Sequence, residues 1–486
     1  MSYACGIEFS DFGFNASIID QNGEAHTSVE EATGGWPAFA AWNGEELVFG
    51  REAEQHWRLH PRQASHVFWE HLSLAPSDLE GPPRVPAYSE LAYAFLSAFW
   101  QNLTTKAGTP EKVVFAMPGQ LLGEGDGDSP AIGLILAMAR DLEIPLAGLC
   151  GLSTGSLNDT QSTAGLTGGR ILYMDLHLHS AAMSLLTTDT DGRLHRRRYM
   201  RLPRLGYIPL IQSLHRAMGN RFLRATAFDV TAQRELEKAF YEQTREQLLD
   251  ASRGADIRYS IQTATRVHQA AFPRETLRRD LGPQEQGWAD AASKFLRDAS
   301  LDAKDVTVVV SSRLRMLPGM DEALATRGFA RVVHLQDGAS ARGAARFAAT
   351  QPVAEDITEV PVISAVEVSA QAAGKKDAVE VVHVAGAFAS AELIASHLVV
   401  DGRAYSLHAL PEVLQGDADA ETPPAIAALA RLGPVPVRLI RQAGEWHIET
   451  PESGALLMAP GDRLRMRHHD EEVELLIVAE SRPGSA

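Results

Sequence analysis

The sequence predicts an α/β fold over about the first 350 residues, followed by a small, mainly β C-terminal domain. Up to residue 350, short apolar β-branched runs alternate with stretches of helical periodicity. Residues 351–378 contain proline, alanine and valine after the helical segments end, and we predict a linker there. Residues 379–486 hold short β-branched runs separated by turn signals such as Asp401-Gly402, which indicates a β-rich domain.

Composition excludes several classes of protein. The formal net charge of −17 argues against a general nucleic-acid binder, because a phosphate backbone selects clustered positive charge. Two cysteines cannot supply a disulfide framework, so we expect a reducing compartment. The N-terminus lacks the pattern of a signal peptide, and no run approaches the length of a membrane span. We therefore expect a cytoplasmic protein without nucleic-acid or membrane partners.

The first elements begin at the N-terminus. Residues 4–20 predict a β-hairpin with a polar turn at 10–13, and Asn22-Gly23 is a further turn signal. At 47–54 a strand gives way to a helix, and 88–106 has helical periodicity.

Strands and helices then alternate up to the predicted linker. We predict a short buried strand at 113–118, a helix at 129–142, and a strand with a hairpin from 170. Residues 225–300 are predicted to be helix-rich, with a break at Gly282-Pro283. The run 295–318 predicts a short helix, an apolar strand and a polar turn that opens another helix.

Motifs in this part of the chain resemble those of a known family. The run 295–318 resembles the adenosine-binding segment of Hsp70 chaperones, in which a strand ends in Val-Gly-Gly-Ser-Thr-Arg-Ile-Pro. Six further segments resemble, in the same order, other parts of the Hsp70 nucleotide-binding domain, which belongs to the actin/Hsp70/sugar-kinase superfamily. They are 6–12, 49–61, 113–118, 173–180, 205–206 and 336–345.

The resemblance implies a two-lobed Hsp70/actin-like fold, that is, a duplicated ribonuclease H-like fold, over residues 1–350. It also implies which positions would face a nucleotide. These positions belong to the family's phosphate loops, to the place of the lysine near the attacking water, to the helix entry, to the adenosine segment and to the closing helix. They are Glu8, Ser10, Asp11, Phe12, His71, Asp175, His177, His179, Gly206, Ser311, Ser312, Arg315 and Gly343.

Many of these positions differ in chemistry from the family. Glu8 stands where the family has an aspartate, and its longer side chain disturbs a Mg²⁺ site that demands near-octahedral geometry. Asp11 and Phe12 add a charge and a ring where phosphate would lie. Ser311 and Ser312 replace glycines, and each adds a Cβ and a hydroxyl where bare backbone would meet the nucleotide.

We therefore expect a divergent Hsp70-like protein with weak or absent ATP hydrolysis, which acts on protein partners or clients as a chaperone-like or scaffolding component. An active ATP-binding chaperone with a nucleotide-driven switch is the alternative. The resemblance leaves two possibilities for the cofactor: the protein binds ATP or ADP with Mg²⁺, or it binds no cofactor. Any surviving nucleotide function would be binding of the adenosine moiety.

Two other catalytic or metal-binding hypotheses arise from the residues. If Asp175, His177 and His179 lie on one strand, they alternate onto one face, where they would bind a metal or fill space and form local hydrogen bonds. Gly151-Leu-Ser-Thr-Gly155 fits the nucleophile pattern of serine hydrolases, which would make Ser153 the nucleophile.

Two segments suggest interactions with other molecules. A cluster of arginines between residues 193 and 204 would attract an anionic partner, or else forms a solvated hairpin face paired with nearby acids. Its members are Arg193, Arg196, Arg197, Arg198, Arg201 and Arg204. In the C-terminal domain, 456–466 resembles the last hairpin of small β-sandwiches such as forkhead-associated domains, so a binding module of unassigned ligand is a further possibility.

Overall fold

The computed structural model describes residues 3–367 apart from 20–24, 28–34, 123–128, 164–165, 167–168, 191, 204, 250–255, 355 and 357–358, together with the strand backbones beyond residue 367. The chain divides into two compact units, Met1–Val368 and Ser369–Ala486. The turn signals at Asn22-Gly23 and Asp401-Gly402, and Arg204, lie outside the described residues.

The first unit begins with a mixed sheet and its helices. Its elements up to residue 157 are β1 (Ala4–Phe9), β2 (Phe14–Ile19), β3 (Ala25–Thr27), β4 (Ala40–Trp42), β5 (Leu47–Phe49), α1 (Arg51–Leu59), β6 (Ala64–Ser65), α2 (Tyr88–Ala107), β7 (Lys112–Met117), α3 (Gly119–Leu122), α4 (Pro130–Asp141), β8 (Leu146–Gly151) and α5 (Leu152–Leu157).

A second series of strands and helices follows. These elements are β9 (Arg170–Leu176), β10 (Ser180–Thr188), β11 (Arg193–Pro203), α6 (Tyr207–Thr226), α7 (Arg234–Leu249), β12 (Ile257–Gln262), β13 (Val267–Phe272), α8 (Arg274–Arg297), β14 (Thr307–Val310), α9 (Met320–Ala325), β15 (Arg331–His334), α10 (Ala339–Thr350), β16 (Val362–Ile363) and β17 (Ala365–Glu367). The predicted mixed α/β class is therefore confirmed.

Two six-stranded sheets share one topology over five of their strands, and the sixth strand, β16 or β17, lies at opposite edges of the two sheets. Their strand orders are β16-β8-β7-β1-β2-β3 and β15-β14-β9-β10-β11-β17. In each sheet, the first strand pairs antiparallel with the next strand along the chain on one side. On its other side it pairs in parallel with a strand that comes much later in the chain. The two loops that follow β1 and β9 therefore occupy equivalent places in the two sheets.

Part of the predicted linker is paired with both sheets. Strand β16 lies parallel to β8, and β17 lies antiparallel to β11. Residues 362–367 thus belong to the first unit, and the division between the units falls after Val368. Each sheet carries its own apolar core, in which large aromatic residues such as Phe95 and Trp288 are buried.

The segment 225–300 differs from its prediction in two ways. It contains the hairpin β12–β13, whose first strand alternates between buried and exposed residues, with Ile257, Tyr259 and Ile261 buried. This period of two is the signal for a half-buried strand. The predicted break at Gly282-Pro283 is wrong, because α8 continues through Pro283. Pro283 itself is exposed.

Close backbone contacts hold α10 against the first sheet. A Cβ on Gly6 of β1 would lie 2.1 Å from the Ala341 carbonyl oxygen, and a Cβ on Gly343 would lie 1.7 Å from the Gly155 carbonyl oxygen. Since a real Cβ does not approach other atoms so closely, both positions require glycine. Helix α10 therefore contacts β1 and α5 through bare backbone.

The second unit is described as two antiparallel sheets. Its strands are β18 (Glu380–Val384), β19 (Leu393–Val400), β20 (Arg403–Ser406), β21 (Val413–Gln415), β22 (Arg438–Gln442), β23 (Glu445–Thr450), β24 (Gly454–Leu457), β25 (Arg463–His468) and β26 (Glu471–Ser481). The hairpin suggested at 456–466 is wrong, because β24 pairs with β23 in one sheet whereas β25 pairs with β18 and β26 in the other.

Among the described residues, we find no helix with the length and apolar character needed to cross a membrane.

Candidate functional site

Three turns of the first unit meet at one site. The first turn joins β1 to β2, and it is closed by the Gly13 amide, which donates to the Ser10 carbonyl at 3.2 Å. The second turn, 177–179, joins β9 to β10. The third is the short 3₁₀ helix Ser312–Met316 that follows β14. The strands β1 and β9 are equivalent in the two sheets, and hydrogen bonds between the three turns connect the two sheets at this site.

The Arg313 guanidinium lies at the centre of the site. It donates one hydrogen bond to Glu8 and another to the Ser10 hydroxyl at 3.0 Å. Its Nε lies 3.6 Å from Asp175 Oδ1. Burial opposes the charged form, but Asp175 and Glu8 raise the pKa of Arg313 above its ordinary value. Arg313 is therefore a permanent, largely buried cation between two carboxylates.

Glu8 is held by three other elements. Its Oε2 accepts a hydrogen bond from the Ser340 hydroxyl on α10 at 2.5 Å and one from the Asn15 amide on β2 at 3.4 Å. Its Oε1 accepts from Arg313. Because Glu8 is only 3 % exposed, these donors replace the water that would otherwise solvate its charge.

Asp175 is the second buried carboxylate and is 1 % exposed. Burial tends to raise the pKa of Asp175, but Arg313 and His177 outweigh it and hold the pKa below the ordinary value. An aspartate with a lowered folded-state pKa stabilises the fold above its unfolded pKa, near 3.9. This contribution is lost as the pH falls through the lower, folded-state pKa.

Asp11 connects the first turn to the second. Its carboxylate accepts hydrogen bonds from the backbone amides of Leu178 at 3.1 Å and His179 at 3.4 Å. The His177 Nδ1 lies 3.6 Å from Asp11 Oδ1. Asp11 is 4 % exposed, so this contact between the two sheets is shielded from solvent.

The two histidines of the second turn have different neighbours. The His177 ring lies between Asp11 and Asp175. His179 contacts His66 instead, with 3.0 Å between His179 Nε2 and His66 Nδ1 and a stacked ring geometry. Burial, and then the charge of His179, lowers the pKa of His66 to about 4.

Asp175, His177 and His179 do not alternate along one strand face as predicted, because only Asp175 lies on a strand. Strand β9 ends at Leu176, so both histidines belong to a turn. Within the part of the chain that the structure describes, no three His, Cys, Asp or Glu residues are arranged to hold a metal ion.

Several other predicted positions lie beside this cluster. The Phe12 ring meets Tyr207 edge-on at 5.1 Å and lies 5.4 Å from the Arg313 guanidinium carbon. Gly206 packs against the second turn, where a Cβ would lie 2.3 Å from the His179 carbonyl carbon. Ser311 is buried and Ser312 is half-buried, and both directly precede Arg313.

Three predicted positions are not brought into the cluster. His71 is exposed, and its ring contacts Tyr88. Arg315 is exposed as well and donates to the Leu335 carbonyl at 2.9 Å. Gly343 packs against the Gly155 backbone.

Sequence reasoning missed four residues that build the site, namely Arg313, Ser340, Asn15 and His66. A signal for Arg313 was present, since an arginine directly follows the two serines that replace the glycines of the adenosine segment. His66 lies in the long connection between α1 and α2, where no motif of the sequence marks it, whereas His71 stands at the approximate position of the family's lysine.

Ser153 lies in the first turn of α5, directly after β8, as a nucleophile turn requires. Its side chain is buried, at 3 % exposure. Among the described residues, no hydrogen bond joins Ser153 to a histidine or a carboxylate. The arrangement therefore gives no support to a serine hydrolase.

The arginines of β11 are largely engaged within the protein. Arg193 pairs with Glu367 at 2.5 Å, Arg197 with Asp189 at 2.7 Å, and Arg201 with Glu70. The Arg198 guanidinium lies over the Phe295 ring. These contacts favour the interpretation as a hairpin face paired with nearby acids.

A polar contact also joins α1 to α7. Arg58 pairs with Glu237 at 3.1 Å and lies 4.0 Å above the Tyr241 ring. Arg245 lies 3.7 Å from Glu54. A cavity of about 490 Å³ lies beside this contact and is bounded by α1, α6 and α7.

The chain matches no family model and no curated protein sequence. The geometry of the ion cluster is therefore the basis for assigning a function. This cluster places Glu8, Asp11 and Asp175 around one guanidinium and one imidazole.

Proposed function

We propose that residues 1–350 form a divergent Hsp70-like domain of two-lobed actin type that does not hydrolyse ATP appreciably. It acts as a chaperone-like or scaffolding component for protein partners. The topology that the two sheets share over five strands supports this proposal, because a duplicated ribonuclease H-like fold requires such a repeat.

The position of Arg313 is the observation that carries the proposal. By the resemblance, Glu8 and Asp175 stand where the family places the two aspartates that position Mg²⁺ and water. Here the guanidinium contacts both carboxylates. A second cation at this place would be repelled by Arg313, and Mg²⁺ would also lose the water and oxygen ligands that it requires.

The surroundings are also unsuited to the phosphates of a nucleotide. Phosphoryl transfer depends on amides and cations that are aimed at phosphate oxygens. The amides of the second turn already bind the Asp11 carboxylate, and the Phe12 ring fills neighbouring space against Tyr207. Glu8, Asp11 and Asp175 would moreover repel a polyanion. The residues present therefore do not fit Mg²⁺-bound ATP.

These contacts support a function as a scaffold. A nucleotide-driven switch needs contacts that form only with the γ-phosphate in one of its states. The ion cluster instead joins the two sheets through side chains of the chain itself. A domain fixed in this way presents a constant surface to protein partners.

We expect the purified full-length protein to show no Mg²⁺-dependent ATP turnover above the background of a boiled sample. The physical reason is that the groups for positioning metal and phosphate act together, and each lost contact lowers the rate by about a hundredfold or more. Phosphate release measured with saturating ATP tests this. Turnover at the rate of ordinary Hsp70 chaperones that disappears in Asp175→Ala would refute the proposal.

A further inference from the structure

The hairpin β12–β13 is a two-stranded sheet, so each of its strands has an outer edge. The Thr263 amide donates to the Arg266 carbonyl at 2.9 Å, and this bond fixes which pairs of the ladder are hydrogen-bonded. Those pairs alternate with pairs whose backbone groups point outwards. The outward residues are 258, 260 and 262 of β12 and 267, 269 and 271 of β13.

The outer edge of β12 is covered by side chains of α7. The Gln243 side chain accepts from the Ser260 amide at 2.9 Å and donates to the Ser260 carbonyl at 2.8 Å, as a neighbouring strand would. One helical turn later, Gln247 accepts from the Arg258 amide at 3.4 Å. These glutamines therefore satisfy backbone groups that would otherwise pair with another strand.

The outer edge of β13 lacks such a cover. Among the described residues, no hydrogen bond is made to the outward backbone groups of Val267, Gln269 and Ala271. All three residues are exposed, Val267 to 46 %. The strand contains no lysine, proline or carboxylate, which are the residues that usually protect an open edge. Strand β13 is therefore a free edge in a sheet whose other edge is covered.

Two arginines beside this edge favour a partner of negative charge. Arg258 lies directly across from Ala271 in the ladder, and Arg266 directly precedes β13. Both arginines are exposed, and in the part of the chain that the structure describes neither side chain pairs with a carboxylate. A second copy of the same edge would bring two further arginines close to these two and would be repelled, whereas an acidic strand would be attracted.

We infer that β13 binds an extended acidic peptide segment of a partner protein, which adds to the hairpin as a third strand. The unpaired backbone groups supply the hydrogen bonds, and Arg258 and Arg266 supply the preference for acidic side chains. This inference rests on the proposed function as a scaffold for protein partners, and it names the kind of segment that such a partner presents.

A labelled peptide, Thr-Glu-Val-Glu-Val-Glu-Thr, tests the inference by fluorescence anisotropy with the full-length protein. The control peptide has lysine in place of each glutamate. The acidic peptide should bind at least about tenfold more tightly than the lysine peptide, because only its charge is complementary to the two arginines. In the double variant Arg258→Glu with Arg266→Glu, the preference should be reversed.

Gln269→Pro tests the backbone contact separately from charge. Proline is accepted at an outward position of an edge strand, where it removes no bond of the hairpin but takes away an amide that a third strand needs. Its affinity for the acidic peptide should fall by at least about tenfold. Gln262→Pro, at an outward position of the covered β12 edge, is the matched control and should bind the peptide as the wild type does.

Three results would overturn the inference: no saturable binding of the acidic peptide up to about 1 mM, equal binding of the two peptides, or undiminished binding by Gln269→Pro. If Gln269→Pro does not fold, the charge reversal in the arginine variant decides instead. A wild-type dimer that dissociates in Gln269→Pro would also overturn it, since the occupant would then be a second copy. None of these results bears on ATP turnover, whereas turnover by the wild type would refute the proposed function whatever the peptide result.

Discussion

Replacement of Arg313 by glutamine is expected to destabilise the first unit by about 3–5 kcal/mol, because it leaves Glu8 and Asp175 buried without their common cation. Glutamine preserves some of the side-chain length and hydrogen bonding, so the loss reports mainly on charge. The free energy of unfolding can be followed in urea by tryptophan fluorescence. Six of the seven tryptophans lie in the first unit, so the signal is dominated by it.

Arg315→Gln is a matched control two residues away. Arg315 is exposed, and its nearest carboxylate, that of Asp337, lies 3.7 Å away. The control should lose no more than about 1 kcal/mol, as is usual for a surface ion pair.

The pH dependence of Arg313→Gln follows from the lowered pKa of Asp175. In the wild type, the Asp175 carboxylate stabilises the fold above about pH 4, and this contribution is lost as the pH falls through the lowered folded-state pKa. Without the guanidinium, Asp175 loses the main group that lowers its pKa. The difference in unfolding free energy between the wild type and Arg313→Gln should therefore shrink in acid. A difference below 1 kcal/mol at neutral pH, or equal losses in the two arginine variants, would contradict the central role of Arg313.

Gly343→Ala is expected to cost at least about 3 kcal/mol, at the upper end of the range for overpacking. The new methyl group would lie 1.7 Å from the Gly155 carbonyl oxygen, and backbone on both sides leaves no flexible side chain to move. Helix α10 would shift away from α5 and would move Ser340 away from Glu8.

Gly287→Ala provides the control, because Gly287 lies inside α8 with no atom within 4 Å of its added Cβ. Alanine is the better helix former there, so this variant should gain up to about 1 kcal/mol. Urea unfolding of both variants under identical conditions is the measurement. If Gly343→Ala loses no more stability than Gly287→Ala, the close contact between α10 and α5 is not as described.

The turns of the candidate site can be located from the sequence. The motif order placed Glu8, Asp11 and Asp175 near one another, and the structure brings them together. The turns that carry these residues are marked by strand ends and polar residues, which are local features of the sequence.

The side-chain contacts within the site cannot be predicted from these local features. The resemblance places Arg315 rather than Arg313 at the site, but the two arginines leave the short 3₁₀ helix in different directions, and Arg313 is the one that contacts Glu8 and Ser10. The direction of a side chain from such a helix depends on the backbone register, which the residue types do not determine. The two histidines of the second turn show the same difficulty, because β9 ends one residue before His177.

Calorimetric titration of the wild-type protein with ATP and with ADP, each with Mg²⁺, tests the central claim most directly. Arg313 lies between the two carboxylates and Asp11 binds the amides of the second turn, so Mg²⁺ would meet a cation there and a phosphate group would meet an anion. We therefore expect that neither nucleotide binds, or that both bind equally weakly through the adenosine moiety alone. Tight binding of ATP with a clear preference over ADP, together with a change in tryptophan fluorescence, would contradict the account.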